Sequence, residues 1–351
     1  ALETGLLPVK QSALVVGGGL AGMTAALAVA DQGFGVHLVE KQAQLGGNLR
    51  MIHTTLEGAD VPRYLAELAA KVSSHPRITV HLNAHPEQIA GHIGNFKSRI
   101  NVAGSETTLV HGATIIATGG VERTTDLYLR GQDPRVITQR ELETKLATAD
   151  LPKNLGAAPT IVMIQCVESR NEKHQYCSRV CCSEAVKNAL ELKRRVGGAK
   201  VIVLAKDIRT YGFREEYYTK AREAGVLFLR HPETQDPRVE KKGEQLVVHV
   251  VDSGLNRELS LAADLVVLST GIAPAEDNPV LSGILRSALT TDGFFLEAHP
   301  KLRPVDLANE GEFICGLAHS PRFMDETVAQ ARAAAGRAAT ILSKSTLTIP
   351  G

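Results

Sequence analysis

Short, wholly apolar runs bounded by glycine alternate along this chain with longer stretches whose apolar positions recur at helical spacing. Residues 13–16 (Ala-Leu-Val-Val) are too few for a buried helix and stop at glycine, so a buried strand is expected. An Ala-rich helix follows over 23–31, glycines at 33 and 35 make a turn, and 36–39 reads as a second strand ending on Glu40. Residues 57–72 carry Val61, Leu65, Leu68, Ala69 and Val72 at helical spacing, which predicts a core-facing stripe. Residues 112–120 form a buried strand ending in Thr118-Gly119, and an apolar strand at 312–316 precedes a long helix over about 325–342.

The middle of the chain repeats this plan. Residues 160–164 match 13–16, residues 201–206 after the turn at Gly197-Gly198 match 36–41, and 263–271 match 113–119. Strands alternating with helices in this order predict an α/β fold with two Rossmann-like domains. The first is expected over 1–155 and 272–351, and the second, inserted into it, over 156–271.

Composition narrows the function. The 351 residues are 44% hydrophobic and 22% charged, with 39 Lys plus Arg against 38 Asp plus Glu and a net charge of +1. That balance suits a soluble α/β protein with a sizeable core and excludes a dedicated nucleic-acid binder, which carries a basic excess. Five cysteines are too few for a disulfide-stapled secreted domain. Residues 11–30 lack charge, Lys10 precedes them, and Ala28-Val29-Ala30 has the form of a cleavage site. Glycines at 17, 18, 19 and 22 in the middle of the run favour a folded core over an export signal, so a cytoplasmic protein without membrane insertion is expected.

The first strand and helix flank Gly17-Gly18-Gly19-Leu20-Ala21-Gly22, a G-x-G-x-x-G loop. Gly17 permits the tight turn, Gly19 lets backbone approach a pyrophosphate, and Gly22 lets helix pack on strand. The helix start offers oriented N–H groups to the phosphates. Glu40, eighteen positions past Gly22, is placed to accept from ribose hydroxyls, and an acid there disfavours a 2′-phosphate. Gly46-Gly47-Asn48, Thr118-Gly119 and the strand ending at Gly316 complete a set that resembles the thioredoxin-reductase-like flavoproteins. The resemblance implies FAD, with Gly17, Gly19, Leu20, Ala21, Gly22, Glu40, Lys41, Gly46, Gly47, Asn48, Ala84, His85, Thr118, Gly119, Gly316 and Thr327 around it. Leu317 stands where that group carries an acid beside the ribityl chain.

In the second copy the glycine loop is replaced by Gln165-Cys166-Val167-Glu168-Ser169-Arg170 and, further on, Tyr176-Cys177-Ser178-Arg179-Val180-Cys181-Cys182, with a helix from Cys181 through Arg195. No glycine lets a pyrophosphate approach, so a nicotinamide cofactor is not expected there. Four of the five cysteines lie in this loop as C-x10-C-x3-C-C. A [4Fe–4S] cluster, a zinc ion, a redox disulfide and plain buried thiols all compete for them. Cysteines at a helix start beside Arg170, Lys173 and Arg179 are expected to have lowered thiol pKa values.

These motifs, with Lys187-Asn188-Ala189 and with Ala318-His319-Ser320-Pro321-Arg322 before residues 325–331, are similar to the A subunit of heterodisulfide reductase over nearly the whole chain. The resemblance implies FAD and a [4Fe–4S] cluster on Cys166, Cys177, Cys181 and Cys182. It also implies electron relay to B- and C-type subunits and a homodimer. This sequence departs from large members in having no C-x2-C-x2-C run and Glu168 where the family usually shows Gly. The bare 351-residue form looks most like the short A subunit of the sulfur-oxidising, heterodisulfide-reductase-like complexes of bacteria. An iron-free thiol–disulfide flavoenzyme using Cys181 and Cys182, or a scaffold subunit, are the other expectations. Cys315 reads as a buried core thiol.

Overall fold

The computed structural model describes residues 5–151 and 155–349 and divides into two compact units. The first comprises residues 1–50, 62–121 and 273–351, and the second residues 51–61 and 122–272.

The first unit is built on a five-stranded parallel sheet, ordered Glu312–Ile314, Ala113–Ile116, Ser12–Val16, Gly35–Val39, Ile78–His81. Both faces are covered, which is why these strands read as continuous apolar runs. Helix Leu20–Ala30 packs against helix Met324–Leu342. Alanines at 21, 25, 26 and 30 on one helix and 331, 334, 335 and 338 on the other are all buried. Helix Val61–Ser74 buries Val61, Leu68 and Val72 of the expected stripe. A three-stranded antiparallel sheet, Ala84–His92, Asn95–Val102 and Ser105–His111, completes the unit. Residues 11–30, the uncharged run, fold as a strand and a helix; among the described residues no helix is long and apolar enough to cross a membrane.

In the second unit the order is Val136–Thr138, Leu265–Leu268, Thr160–Ile164, Lys200–Ala205, Leu227–Arg230, again all parallel. The four strands from Leu265–Leu268 to Leu227–Arg230 stand in the positions that their counterparts hold in the first sheet, so the repeat read from the sequence is a repeat of topology. The fifth strand differs. In the first unit it comes from the C-terminal segment, in the second from Val136–Thr138, ahead of the repeat. Residues 122–155, expected with the first domain, therefore fall in the second unit. Strand Val136–Thr138 adds to the second sheet, and helix Gln139–Ala147 packs on helix Cys181–Arg195.

One core residue sets an acid limit on the first unit. His111 is fully buried; its Nδ1–H donates to the Ala113 carbonyl (3.0 Å), so its Nε2 accepts from the Ser98 hydroxyl (2.7 Å). Burial holds its pKa down at about 4. The unfolded chain binds this proton near pH 6.5 and the folded chain only near 4. Stability from this group is thus complete above 6.5 and declines as pH falls from 6.5 to 4. At about 1.4 kcal/mol per pH unit the loss between pH 7 and 5 is about 2 kcal/mol. Urea unfolding at both pH values should show that loss, and His111→Asn, which keeps a donor for Ala113, should lose about 2 kcal/mol less. Equal losses in the two proteins would place the proton uptake elsewhere.

Candidate cofactor sites

The glycine loop of the first unit is shaped by close backbone approaches. Gly17 has φ +111°, and a Cβ there would lie 2.2 Å from the Ala117 carbonyl oxygen. A Cβ on Gly22 would lie 1.7 Å from the Gly17 carbonyl oxygen. Both glycines are thus required to let helix Leu20–Ala30 leave the strand. Gly19 is different. It is the helix N-cap, in extended conformation with no side-chain cap, and its Cβ would meet only the Gly47 Cα at 3.9 Å. The helix start is left open, which is what an anion on its N–H groups needs.

Glu40 is buried and holds this loop. One carboxylate oxygen accepts from Gly18 N–H (2.6 Å), the other from Gln42 N–H (2.8 Å). Each oxygen keeps a second lone pair for a hydroxyl. Gly46 N–H donates to the Gly18 carbonyl (2.8 Å) and Gly46 bridges Gly19, so Gly46 and Gly47 lie against the loop. Asn48 Nδ2 donates to Gly120 O (2.7 Å), and Ala84 N–H donates to Glu40 O (2.9 Å). A Cβ on Gly316 would lie 2.6 Å from that of Ala21 and 3.5 Å from Thr327, which joins the C-terminal segment to the loop. Leu20 and Ala21 open the helix. Lys41 and His85 are exposed, and Lys41 pairs with Asp277 at 2.9 Å.

Two residues at this site were not singled out in the sequence. Thr118 donates from its hydroxyl to Asn278 Oδ1 (3.0 Å), and Asn278 is buried in a helix that carries no motif. Gly316 N–H donates to Gln330 Oε1 (2.7 Å), which fixes Gln330 Nε2 as donor to His319 Nδ1 (2.7 Å). With Arg322 also donating to Nδ1, His319 carries its proton on Nε2 and gives it to Glu297 (2.8 Å). The three-residue spacing from Thr327 to Gln330 was the available clue, since it puts both on one helix face.

In the second unit the four-cysteine loop leaves the carboxyl end of strand Thr160–Ile164 and ends in helix Cys181–Arg195, whose first two residues are Cys181 and Cys182. All four cysteines are free thiols. Cys166, Glu168, Arg170 and Arg179 all have φ between +55° and +62°, as do Tyr128 and Leu129 nearby in the range +59° to +67°. Left-handed backbone at bulky residues costs roughly 1–2 kcal/mol each, and such strain gathers at functional sites.

The expectation of lowered thiol pKa values is overturned. Burial pushes the Cys182 thiol up to about 12 and raises those of Cys166 and Cys181, and the other cysteines raise both further. Arg170 pulls Cys166 the other way without outweighing its burial. Bare thiolates are therefore disfavoured here unless something binds them. N–H groups nevertheless point at the sulfurs: Arg170 Nη1 at Cys166 (3.9 Å), Arg179 backbone at Cys177 (3.3 Å), and Arg209 backbone at Cys182. Such donors suit electron-rich sulfur. Among the described residues no three His, Cys, Asp or Glu side chains converge on a single-ion site. Cys315 lies in the first unit and is fully buried, its thiol pushed up to about 12.

The Pyridine nucleotide-disulphide oxidoreductase family model matches residues 11–163. The iron-sulfur A subunit of CoB–CoM heterodisulfide reductase from Methanocaldococcus jannaschii is 31% identical over 94% of this chain and 64% of its own length. A corresponding iron-sulfur A subunit of Methanopyrus kandleri is 31% identical over 96% of the chain and 65% of its own length. This chain belongs to the A-subunit family of heterodisulfide reductases. It spans less than two thirds of these curated relatives, and the first alignment runs over 424 positions, more than the chain's 351, so that relative carries inserted segments. Thioredoxin reductase from Lactococcus lactis shares the fold, with TM-score 0.65, 17% identity, and 95% and 99% of the two chains covered. Within the heterodisulfide reductase family frame, Glu168 occupies a φ of +55°, a conformation that glycine adopts without strain.

Proposed function

We propose that this chain is an FAD- and [4Fe–4S]-containing electron-transfer subunit of a heterodisulfide-reductase-like complex. The cluster is held by Cys166, Cys177, Cys181 and Cys182. The observation that carries the reading is a strained loop with four free thiols, three of them met by N–H donors, in a chain whose other unit keeps an open glycine cradle. The words "iron-sulfur" in the names of the relatives support it. FAD takes up or releases one or two electrons and a cluster one, so together they convert between pairs and singles. The residues of this chain bind the two groups and set their surroundings. Gly17, Gly19 and Gly22 make room for a pyrophosphate, Glu40 orders the loop and keeps lone pairs for ribose hydroxyls, and Gly316 and Thr327 close the opposite side.

The finer parts of the proposal are a cytoplasmic role in sulfur oxidation, B- and C-type partner subunits, and a homodimer. The thiol–disulfide alternative on Cys181 and Cys182 is disfavoured by the upward thiol shifts, since attack on a disulfide needs a thiolate.

The test is composition. Protein purified without oxygen should contain about one flavin, four iron and four acid-labile sulfide per chain, the count of one [4Fe–4S] cluster. Flavin without iron or sulfide would revive the thiol–disulfide reading, and neither cofactor would leave a scaffold subunit. Co-purification with B- and C-type subunits, and oxidation of a sulfur compound by the assembled complex, would test the finer parts.

A further inference from the structure

The carboxyl edge of the second unit's sheet holds buried donors that the described residues leave unmet. Strand Thr160–Ile164 runs into Gln165, and its neighbour Leu265–Leu268 into Ser269 and Thr270. Ser183 follows Cys182 in the first turn of helix Cys181–Arg195. These four residues are only 2–4% exposed. Gln165 Nε2 and the hydroxyls of Ser183, Ser269 and Thr270 have no hydrogen-bond partner among the described residues. Native proteins pair nearly all such groups, so a cluster of exceptions asks for a ligand.

Their position says which ligand. From Thr160–Ile164 the chain continues to Lys200–Ala205 on one side, while Leu265–Leu268, the last strand of this sheet, lies on the other; in open parallel sheets ligands bind outside the carboxyl ends of the strands. The cysteine loop is fastened across it: Val167 N–H donates to Ser269 O (3.1 Å), and Ile272 N–H donates to Ser178 Oγ (2.9 Å). Gly271 packs against Ser178 and Ser169, where a Cβ would lie 2.6 Å from Ser178 Oγ.

We propose that the hydroxyls of Ser183, Ser269 and Thr270 and the amide N–H of Gln165 donate hydrogen bonds to the sulfurs of the cluster and thereby raise its reduction potential. This rests on the cluster reading above. One electron taken from a redox mediator adds one negative charge, shared by the inorganic sulfides and the cysteine sulfurs, and each donor stabilises that charge more than the oxidised form. Gln165 Oε1, an acceptor, takes no part.

The experiment uses the anaerobically purified, cofactor-loaded full chain and the variants Ser183→Ala, Ser269→Ala, Thr270→Val and Gln165→Met. Cluster reduction is followed by electron paramagnetic resonance in a mediator titration, with iron, sulfide and flavin counted alongside. The variants should keep all three. At the potential that half-reduces the wild-type cluster, the ratio of reduced to oxidised should fall about three- to tenfold for each donor removed. Stripped of metal, the variants should melt no lower than wild type, because an unmet polar group has been replaced by an apolar one of similar shape. Full cluster content with an unchanged midpoint overturns the inference and leaves the cluster reading standing. Iron loss in every variant also overturns it, since these side chains would then build the site and not tune it. Wild-type protein without iron or sulfide overturns both together.

Discussion

Gly22→Ala is expected to give protein that holds no flavin and unfolds well below the wild type. The new Cβ would sit 1.7 Å from the Gly17 carbonyl oxygen and 2.9 Å from its carbon, and both are backbone atoms that no rotamer change can move. Gly17 in turn is pinned against the Ala117 carbonyl and donates its N–H to Val39 O (2.8 Å). Relief must come from shifting helix Leu20–Ala30, whose alanines are packed closely on the long C-terminal helix. Overpacking of this kind costs about 1–3 kcal/mol or more. Gly19→Ala separates binding from folding. Its φ of −80° suits any residue, and its Cβ touches only the Gly47 Cα at 3.9 Å, so the cofactor-free chain should melt as the wild type does. The methyl group would instead occupy the approach of a pyrophosphate, and flavin affinity should fall about a hundredfold or more. Flavin retention after gel filtration and melting of the stripped proteins check both variants. A Gly19→Ala protein that keeps flavin at wild-type affinity would move the pyrophosphate off this loop.

How much the sequence revealed depended on the range of the interaction. The central strands of each sheet were legible because buried parallel strands write themselves as apolar runs, and the repeat pointed to a shared plan. The glycine loop was legible because steric demands at Gly17 and Gly22 fall on single residues. The edge of the second sheet was not legible. Strand Val136–Thr138 is three residues long and its membership is decided by pairing with Leu265–Leu268, more than a hundred positions away. The thiol pKa values were misread for a similar reason. The basic residues around the cysteines are visible in sequence, but the burial that outweighs them is a property of the fold. Asn278 carries no motif, Gln330 lies in the 325–331 stretch without standing out there, and only their contacts identify the two.

Replacing one cysteine of the loop should remove the iron and leave the flavin. In Cys177→Ser and Cys181→Ser the iron content of anaerobically purified protein should fall from about four to below about one per chain. Flavin should stay near one, because the glycine cradle belongs to the other unit. The structural cost of the change is small. Serine is close to cysteine in shape, and all four thiols are free, so no disulfide is lost. Cys315→Ser is the internal comparison. That thiol is as buried as Cys182 but sits in the first unit, between strand Glu312–Ile314 and Gly316, and its replacement should leave the iron count unchanged. The pattern across these variants discriminates between chemistries that a single activity assay would merge. A thiol–disulfide enzyme would lose turnover in Cys181→Ser and Cys182→Ser, never having contained iron, and would tolerate Cys166→Ser. A cluster-bearing chain should lose iron in all four loop variants, since a cube held by three thiolates exposes its fourth iron and is more easily lost. Iron that survives Cys166→Ser and Cys177→Ser would show that these two are not ligands. It would also leave the strained backbone at Cys166, Glu168 and Arg170 without the purpose assigned to it here.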